Sequence, residues 1–324
     1  MDSTIAIQEN TLVTNLDFLK DVEEGLQSNP KFLSSKYFYN KRGSELFQTI
    51  MQLEEYYPTR SEYEIFLTYK DKLQELFATS KFELLEFGAG DGLKTKILLE
   101  HFYKNKIDFT YSPIDISSDV LETLTTSLKQ QLPDLSLSPL CGDYLIELEK
   151  QKSTSRKKVV FFLGSNVGNM SLEESLFFFR KIYGLLNEGD ILIVGFDLKK
   201  DPLTILNAYN DKMGVTAAFN INLLKRINDE LGGDFDLGNF YHYPTYDPKT
   251  GEAKSFIVSK RKQIVRIEKL NKRFGFELGE CIHTEVSKKY TLDEIRSIAK
   301  ECGFTMVDNL FDCKHYFTYS IWIK

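Results

Sequence analysis

Leu84-Leu85-Glu86-Phe87-Gly88-Ala89-Gly90-Asp91-Gly92-Leu93-Lys94-Thr95-Lys96 is an apolar run that enters a glycine-rich turn and leaves as a helix. Glycine at 88, 90 and 92 lets the backbone turn tightly, admits a ligand close to the main chain, and packs the next helix against the strand. A dinucleotide fingerprint would place its third glycine one residue later, and a phosphate loop would close with Gly-Lys-Ser/Thr. Neither pattern is present. The alternative to a ligand turn is a purely structural one. What decides is whether later strand ends provide the rest of a nucleoside site.

Outward from this turn the chain alternates. A strand at 82–87, a helix at 93–103, a strand at 109–114 ending in Asp115, and a helix at 119–131 follow one another. Then come a strand at 137–141 that runs into Asp143-Tyr144, and an apolar run at 159–163 that ends in Gly164-Ser165-Asn166-Val167-Gly168-Asn169. Ser171-Leu172-Glu173-Glu174 is a capping box that starts a helix, and 191–196 is a fifth strand. Strand and helix in alternation predict a parallel sheet. The continuous apolar run at 159–163 suits its buried centre.

After Asp197 the alternation stops. Helices at 203–209 and 215–231 precede strands at 240–243, 253–258 and 263–267, with Asp247-Pro248-Lys249-Thr250-Gly251 as a turn. Thr291-Leu292-Asp293-Glu294 is a second capping box, and its helix ends near Gly303. Strands at 304–310 and 316–323 share a link too short for a crossover, so they must be antiparallel. Before the first strand the chain is aromatic, with Tyr37-Phe38-Tyr39, Phe47 and Tyr56-Tyr57, and reads as a helical cap with a glycine turn at Gly43. The predicted fold is α/β, with 61–196 and 287–324 forming one domain. Residues 1–60 and 197–286 form a second, inserted α+β domain.

Composition narrows the function. With 324 residues, 42% of them hydrophobic, the chain can bury a large core, and a net charge of −6 gives no field for a polyanion. Nucleic acid is therefore disfavoured, and a small-molecule substrate is expected. No apolar run approaches the roughly 20 residues that span a bilayer, and the amino terminus lacks a basic region followed by an apolar one, so a cytoplasmic protein is expected. Cys141, Cys281, Cys302 and Cys313 are scattered and the four histidines do not cluster, which predicts reduced thiols and no metal.

Ligands of open parallel sheets lie outside the carboxyl ends of the strands. Asp115, 27 residues after Gly88, can accept from both hydroxyls of a ribose. From the next strand end, Asp143 can accept from an adenine amino group and Tyr144 can cover the base. Lys94 can pair with an amino-acid carboxylate. Acidic-x-Gly-x-Gly-x-Gly after a strand resembles the first motif of S-adenosylmethionine-dependent methyltransferases with a Rossmann-like sheet, and these polar strand ends agree with that cosubstrate.

Over nearly its whole length the chain resembles the histidine-specific N-alpha-methyltransferases of ergothioneine biosynthesis. The segments that carry this are Glu55-Tyr56-Tyr57-Pro58-Thr59-Arg60, the glycine turn with Lys94-Thr95, Cys141-Gly142-Asp143, Phe162-Leu163-Gly164-Ser165 with Gly168-Asn169, Gly214-Val215-Thr216-Ala217 with Phe219-Asn220, and Thr284-Glu285-Val286-Ser287. The resemblance implies a class I methyltransferase that converts histidine to its trimethylated betaine, hercynine. It places Gly88, Lys94, Asp115, Asp143 and Tyr144 on S-adenosylmethionine, and Tyr39, Tyr56, Asn169, Tyr209, Glu285 and Ser287 around the amino acid. Tyr39 and Asn169 would handle the reacting amine. Glu285 and Ser287 would accept from and donate to the imidazole nitrogens.

One position departs from the family. Where histidine-specific members usually have Met in the inserted hairpin, the alignment puts Ser255, which leaves the ring pocket wider or more polar. A methyltransferase for tryptophan or another small amine is the competing enzyme reading. A catalytically silent binding protein of the same fold is the competing reading of another class.

Overall fold

The computed structural model describes residues 16–154 and 156–324; the expectation for the amino terminus lies outside them. Two compact units emerge, one made of residues up to Tyr56 with Asp201–Ser287, the other of Tyr57–Lys200 with Lys288–Lys324. The chain therefore crosses after Tyr56, Lys200 and Ser287, where the sequence reading put the crossings after 60, 196 and 286.

The first elements are α1 (16–27), β1 (Lys31–Phe32) and α2 (Lys41–Gln52). The glycine turn expected at Gly43 is instead the first turn of α2. Asn40 caps that helix by accepting from the Gly43 N–H at 2.8 Å, and a Cβ at Gly43 would lie 1.7 Å from the Phe38 carbonyl oxygen. Helix α3 (Tyr57–Phe77) follows, with Pro58 in its first turn, where a missing N–H costs no hydrogen bond.

Next come β2 (Phe82–Phe87), α4 (Lys96–Lys104), β3 (Phe109–Asp115), α5 (Ser118–Gln131), β4 (Leu140–Cys141), α6 (Tyr144–Lys150), β5 (Lys157–Phe162), α7 (Leu172–Leu185) and β6 (Ile191–Asp197). The inserted stretch holds α8 (Pro202–Ala208), α9 (Val215–Leu231), β7 (Phe240–Asp247), β8 (Glu252–Ser259), β9 (Gln263–Ile267), β10 (Lys272–Phe276) and β11 (Cys281–Lys288). Helix α10 (Leu292–Glu301), β12 (Thr305–Phe311) and β13 (Phe317–Ile323) end the chain. Both capping boxes, at Ser171 and Thr291, are formed.

Seven strands form one sheet in the order β12-β13-β6-β5-β2-β3-β4. The run from β6 to β4 is parallel, and β13 is antiparallel to both β12 and β6. Side chains alternate between two cores. Phe82, Leu84, Phe161, Ile193 and Tyr319 join α3, α4 and α5 on one face. Leu85, Phe87, Val160, Phe162, Leu192 and Trp322 join α7 and α10 on the other. This is a doubly wound, Rossmann-like sheet, and its strand order reverses between β2 and β5. A ligand crevice belongs at that switch point, outside the carboxyl ends.

Two expectations for this sheet need correction. Helix α4 starts at Lys96 and not near 93, because Gly92 sits in the left-handed region at φ 63° and the turn after it is tightened by i→i−3 bonds, from the Ile97 N–H to the Lys94 carbonyl at 3.2 Å and from the Leu98 N–H to the Thr95 carbonyl at 2.9 Å. Strand β4 is only two residues long. Leu137 touches β3 through a single bridge at Tyr111, and Pro139 has no N–H for the ladder.

The other unit has its own core. A four-stranded sheet in the order β1-β11-β8-β7 and the β9–β10 pair enclose Phe18, Phe38, Leu46, Phe219, Leu223, Ile257 and Ile282, with α1, α2 and α9. Strands β7 and β8 are longer than the sequence pattern suggested, because they form one continuous hairpin from Phe240↔Ser259 to Asp247↔Glu252. Strand β10 lay hidden behind Lys272, Arg273 and Gly275, which weaken the apolar alternation that the buried Phe274 and Phe276 keep.

Candidate functional site

In the Rossmann-like unit the three motif glycines all have positive φ: 65° at Gly88, 54° at Gly90 and 63° at Gly92. Side chains at two of them would also collide with their surroundings. A Cβ on Gly92 would sit 2.4 Å from Leu124 Cδ1, so this glycine lets α5 pack against the turn; one on Gly88 would sit 2.8 Å from the Tyr144 hydroxyl. Gly90 faces open space.

Four of the five residues expected on the cosubstrate converge there. Asp115 ends β3 and lies across from Cys141 in the ladder, just before Asp143. Asp115 Oδ1 accepts from the Ser117 N–H at 3.0 Å, and Asp143 Oδ1 caps α6 by accepting from the Leu145 and Ile146 N–H groups at 2.9 and 3.2 Å. Among the described residues, Oδ2 of each carboxylate has no donor. Burial, and then the charges of Asp115 and Asp143, push the Tyr144 phenol up to about 12. Its ring lies parallel to Phe87, centroids 5.1 Å apart, so one of its faces is covered by protein.

Lys94 differs from the other four. Its ammonium is held by the buried carboxylate of Glu62 at 2.5 Å, and an ammonium with three donors keeps two for a ligand. Glu86 lies below the turn, fully buried, accepting from Thr95 Oγ1 at 2.6 Å and Tyr111 Oη at 2.5 Å. Burial raises its pKa to about 7 against the pull of those bonds. The sequence reading missed Glu62, which belongs to no motif, and Ile116. Ile116 follows Asp115 and is 80% exposed, an apolar side chain at a strand end that the described residues leave uncovered. The signal for Ile116 was its place in the sequence, directly after a strand-ending carboxylate.

Asn169, in the same unit, ends the short 3₁₀ turn Asn166–Asn169 after β5 and is exposed. Ser165 starts that turn in the left-handed region at φ 56°, and its Oγ accepts from the Asp197 N–H at 3.1 Å.

The other expected residues lie in the inserted unit. Tyr39, 53% exposed, meets Phe47 and Phe219 edge-on at 5.5 and 5.7 Å, and Tyr56 meets Phe47 at 6.2 Å. Phe47 thus joins the two tyrosines into one aromatic wall. Tyr209 follows the last turn of α8. Glu285 is half-buried and Ser287 buried, both on β11, while Thr284 between them and α9 donates to Asn220 Oδ1 at 2.8 Å and the Ser255 carbonyl at 3.1 Å. Ser255 is 1% exposed, and its hydroxyl has no hydrogen-bond partner among the described residues.

Among the described residues no group of three or more His, Cys, Asp or Glu side chains is placed to hold a metal ion, and no helix is long and apolar enough to cross a membrane.

The family described as histidine-specific methyltransferase, SAM-dependent, matches residues 18–324. The chain is 34% identical to the histidine N-alpha-methyltransferase of Mycolicibacterium smegmatis over 284 residues, 88% of each chain. It is 35% identical to the protein of that name from Mycobacterium tuberculosis, over 85% of each. It is also 27% identical to the L-tryptophan methyltransferase of Psilocybe serbica, over 90% of this chain and 88% of that one.

Proposed function

Because the chain belongs to the histidine-specific, S-adenosylmethionine-dependent methyltransferases, we propose that it methylates the α-amino group of L-histidine, ending at the trimethylated betaine hercynine. The observation that carries this reading is the group at the carboxyl ends of β2, β3 and β4. There a glycine turn with left-handed backbone faces two carboxylates, each with one oxygen that no donor among the described residues occupies.

The residues fit S-adenosylmethionine. Asp115 Oδ2 would accept from ribose, Asp143 from the adenine amino group, and Gly88 would let the main chain approach. Lys94 would use a remaining donor on the methionyl carboxylate, while Tyr144 and the exposed Ile116 give apolar surface to the base. When bound, the cosubstrate supplies an electrophilic methyl group on a sulfonium. The protein's part is to hold a neutral amine in line with it, which places most of the catalysis in positioning, with reacting atoms about 3 to 3.5 Å apart.

For the amino acid, Asn169 would orient the amine and carboxylate, Tyr56 and Tyr209 would fix the carboxylate and ring, and Tyr39 would bond the amine. A wall of Tyr39, Phe47 and Phe219 suits an amine that becomes a quaternary cation, because aromatic faces attract positive charge without needing a donor hydrogen. Glu285 and Ser287 would bond the imidazole. Imidazole can offer one nitrogen as donor to Glu285 and the other as acceptor to Ser287, whereas indole has a donor N–H and no acceptor, which favours histidine over tryptophan. Mass spectrometry of the twenty amino acids, each incubated with enzyme and S-adenosylmethionine, tests the assignment. Methylated histidine as the dominant product supports it, and dominant methylation of tryptophan transfers the reading to the runner-up.

A further inference from the structure

The glycine turn after β2 and the loop after β5 flank the switch point of the sheet, and one side chain from outside both is bonded to each of them. Glu62, on the second turn of α3, has a side chain only 3% exposed. Its Oε2 pairs with Lys94 Nζ at 2.5 Å in the first loop. Its Oε1 accepts from the Gly164 N–H at 2.7 Å in the second, and from Tyr319 Oη of β13 at 3.1 Å. Burial, and then the Glu62 charge, push the Tyr319 phenol well above its ordinary value, so that hydroxyl stays a donor.

A carboxylate is suited to this because both oxygens only accept. The two loops carry different parts of the proposed reaction: the glycine turn holds the methyl donor, and the β5 loop runs from Gly164 through Ser165 at positive φ to Asn169, which orients the amine. We propose that Glu62 is a positioning residue for methyl transfer, a rigid strut that sets the spacing between the donor-binding turn and the Asn169 loop. The inference rests on the reading that S-adenosylmethionine lies at the glycine turn.

Two substitutions break the strut in different ways. Glu62→Gln keeps the length, but its amide must turn a donor toward either the Lys94 ammonium or the Gly164 N–H, so one loop is released. Glu62→Asp keeps the charge that balances Lys94 but falls one methylene short of spanning both loops. Tyr319→Phe removes a bond to the same carboxylate while leaving both loops tied.

The test is the single-turnover rate of methyl transfer at saturating donor and histidine, with donor affinity measured by calorimetry on the same samples. Since a misplacement of about 1 Å can cost about 100-fold in rate, Glu62→Gln and Glu62→Asp should each lose roughly 10- to 100-fold in that rate. Their donor affinity should change less than about fivefold, and Tyr319→Phe should stay within about threefold of wild type in both. Wild-type turnover by Glu62→Asp would reduce Glu62 to a counter-ion and overturn the proposal. Loss of donor binding in step with the rate would overturn it too, by making Glu62 an affinity residue. If wild type binds the donor but leaves histidine unmodified, the substrate reading fails instead, and the same comparison is then made on whichever amino acid the enzyme does methylate.

Discussion

The Tyr57 hydroxyl lies 2.9 and 2.8 Å from the two carboxylate oxygens of Asp197, a residue 1% exposed at the carboxyl end of β6. Lys289 pairs with the same carboxylate at 2.8 Å and Lys200 pairs with it as well. Tyr57, Lys200 and Lys289 each adjoin a point where the chain passes from one unit to the other. One buried carboxylate therefore anchors all three crossings to the Rossmann-like unit.

Asp197→Asn should be among the most destabilising conservative changes in the chain. Burial alone would raise the Asp197 pKa, but the charges of Lys289 and Lys200 outweigh it and hold the carboxyl below its usual range. Lys200 is pushed down, chiefly by burial and further by the Lys289 charge, against the upward pull of Asp197. Removing one member of a buried charge network costs about 3 to 5 kcal/mol. The sign with pH follows from the lowered value. The stability Asp197 contributes is present above its unfolded pKa, about 3.9, and is lost as pH falls through the folded one. Urea unfolding at pH 7 and near pH 3.5 should show a gap between wild type and mutant that narrows in acid. A gap equal at both would mean that the charge is not what anchors the crossings.

Glu86 should behave in the opposite way. Its folded pKa of about 7 lies above the ordinary 4.5, chiefly through burial, so its favourable contribution is present below 4.5 and disappears as pH rises through about 7. The shift corresponds to about 3 kcal/mol at 1.36 kcal/mol per unit. Glu86→Gln, whose amide oxygen can still accept from Thr95 or Tyr111, should gain on wild type in urea unfolding between pH 5 and pH 8.5. A constant difference across that range would contradict the assignment.

Asp115→Ala should remove most of the affinity for S-adenosylmethionine, since charge-assisted bonds to a ribose are worth about 1.5 to 3 kcal/mol each. Calorimetry on the folded mutant gives the answer directly. Unchanged affinity would take the nucleoside away from the end of β3.

The parallel sheet was legible because its strands are short apolar runs closed by polar residues, and the glycine turn because positive φ at 88, 90 and 92 favours that residue. Asp115 and Asp143 were named from their place at strand ends, and the structure puts both there. Glu62 was not, because a single acid on a helix face looks solvated until the fold brings Lys94 and Gly164, 32 and 102 residues away, onto it. Asp197 escaped for the same reason, its partners Tyr57 and Lys289 being remote in sequence. Short and irregular pieces, such as β4 and the turn before α4, depend on Pro139 and Gly92 acting against the local apolar pattern.

Glu285→Ala should weaken histidine binding by roughly 10- to 100-fold, the loss of about 1 to 3 kcal/mol that follows when a buried polar partner is left unpaired. S-adenosylmethionine affinity should stay as it was, and tryptophan should gain relative to histidine. Ser255, buried and with no hydroxyl partner among the described residues, presents no long side chain of its own. Unchanged histidine affinity would leave Glu285 as an ordinary strand residue.

The central claim is methyl transfer to the α-nitrogen of histidine. Histidine isotopically labelled at that nitrogen, incubated with enzyme and excess S-adenosylmethionine and followed by nuclear magnetic resonance and mass spectrometry, tests it most directly. The account predicts successive mono-, di- and trimethylated species with every methyl coupled to the labelled nitrogen and none on the ring. Methyl groups on the imidazole, or histidine recovered unchanged while another amine is methylated, would contradict it.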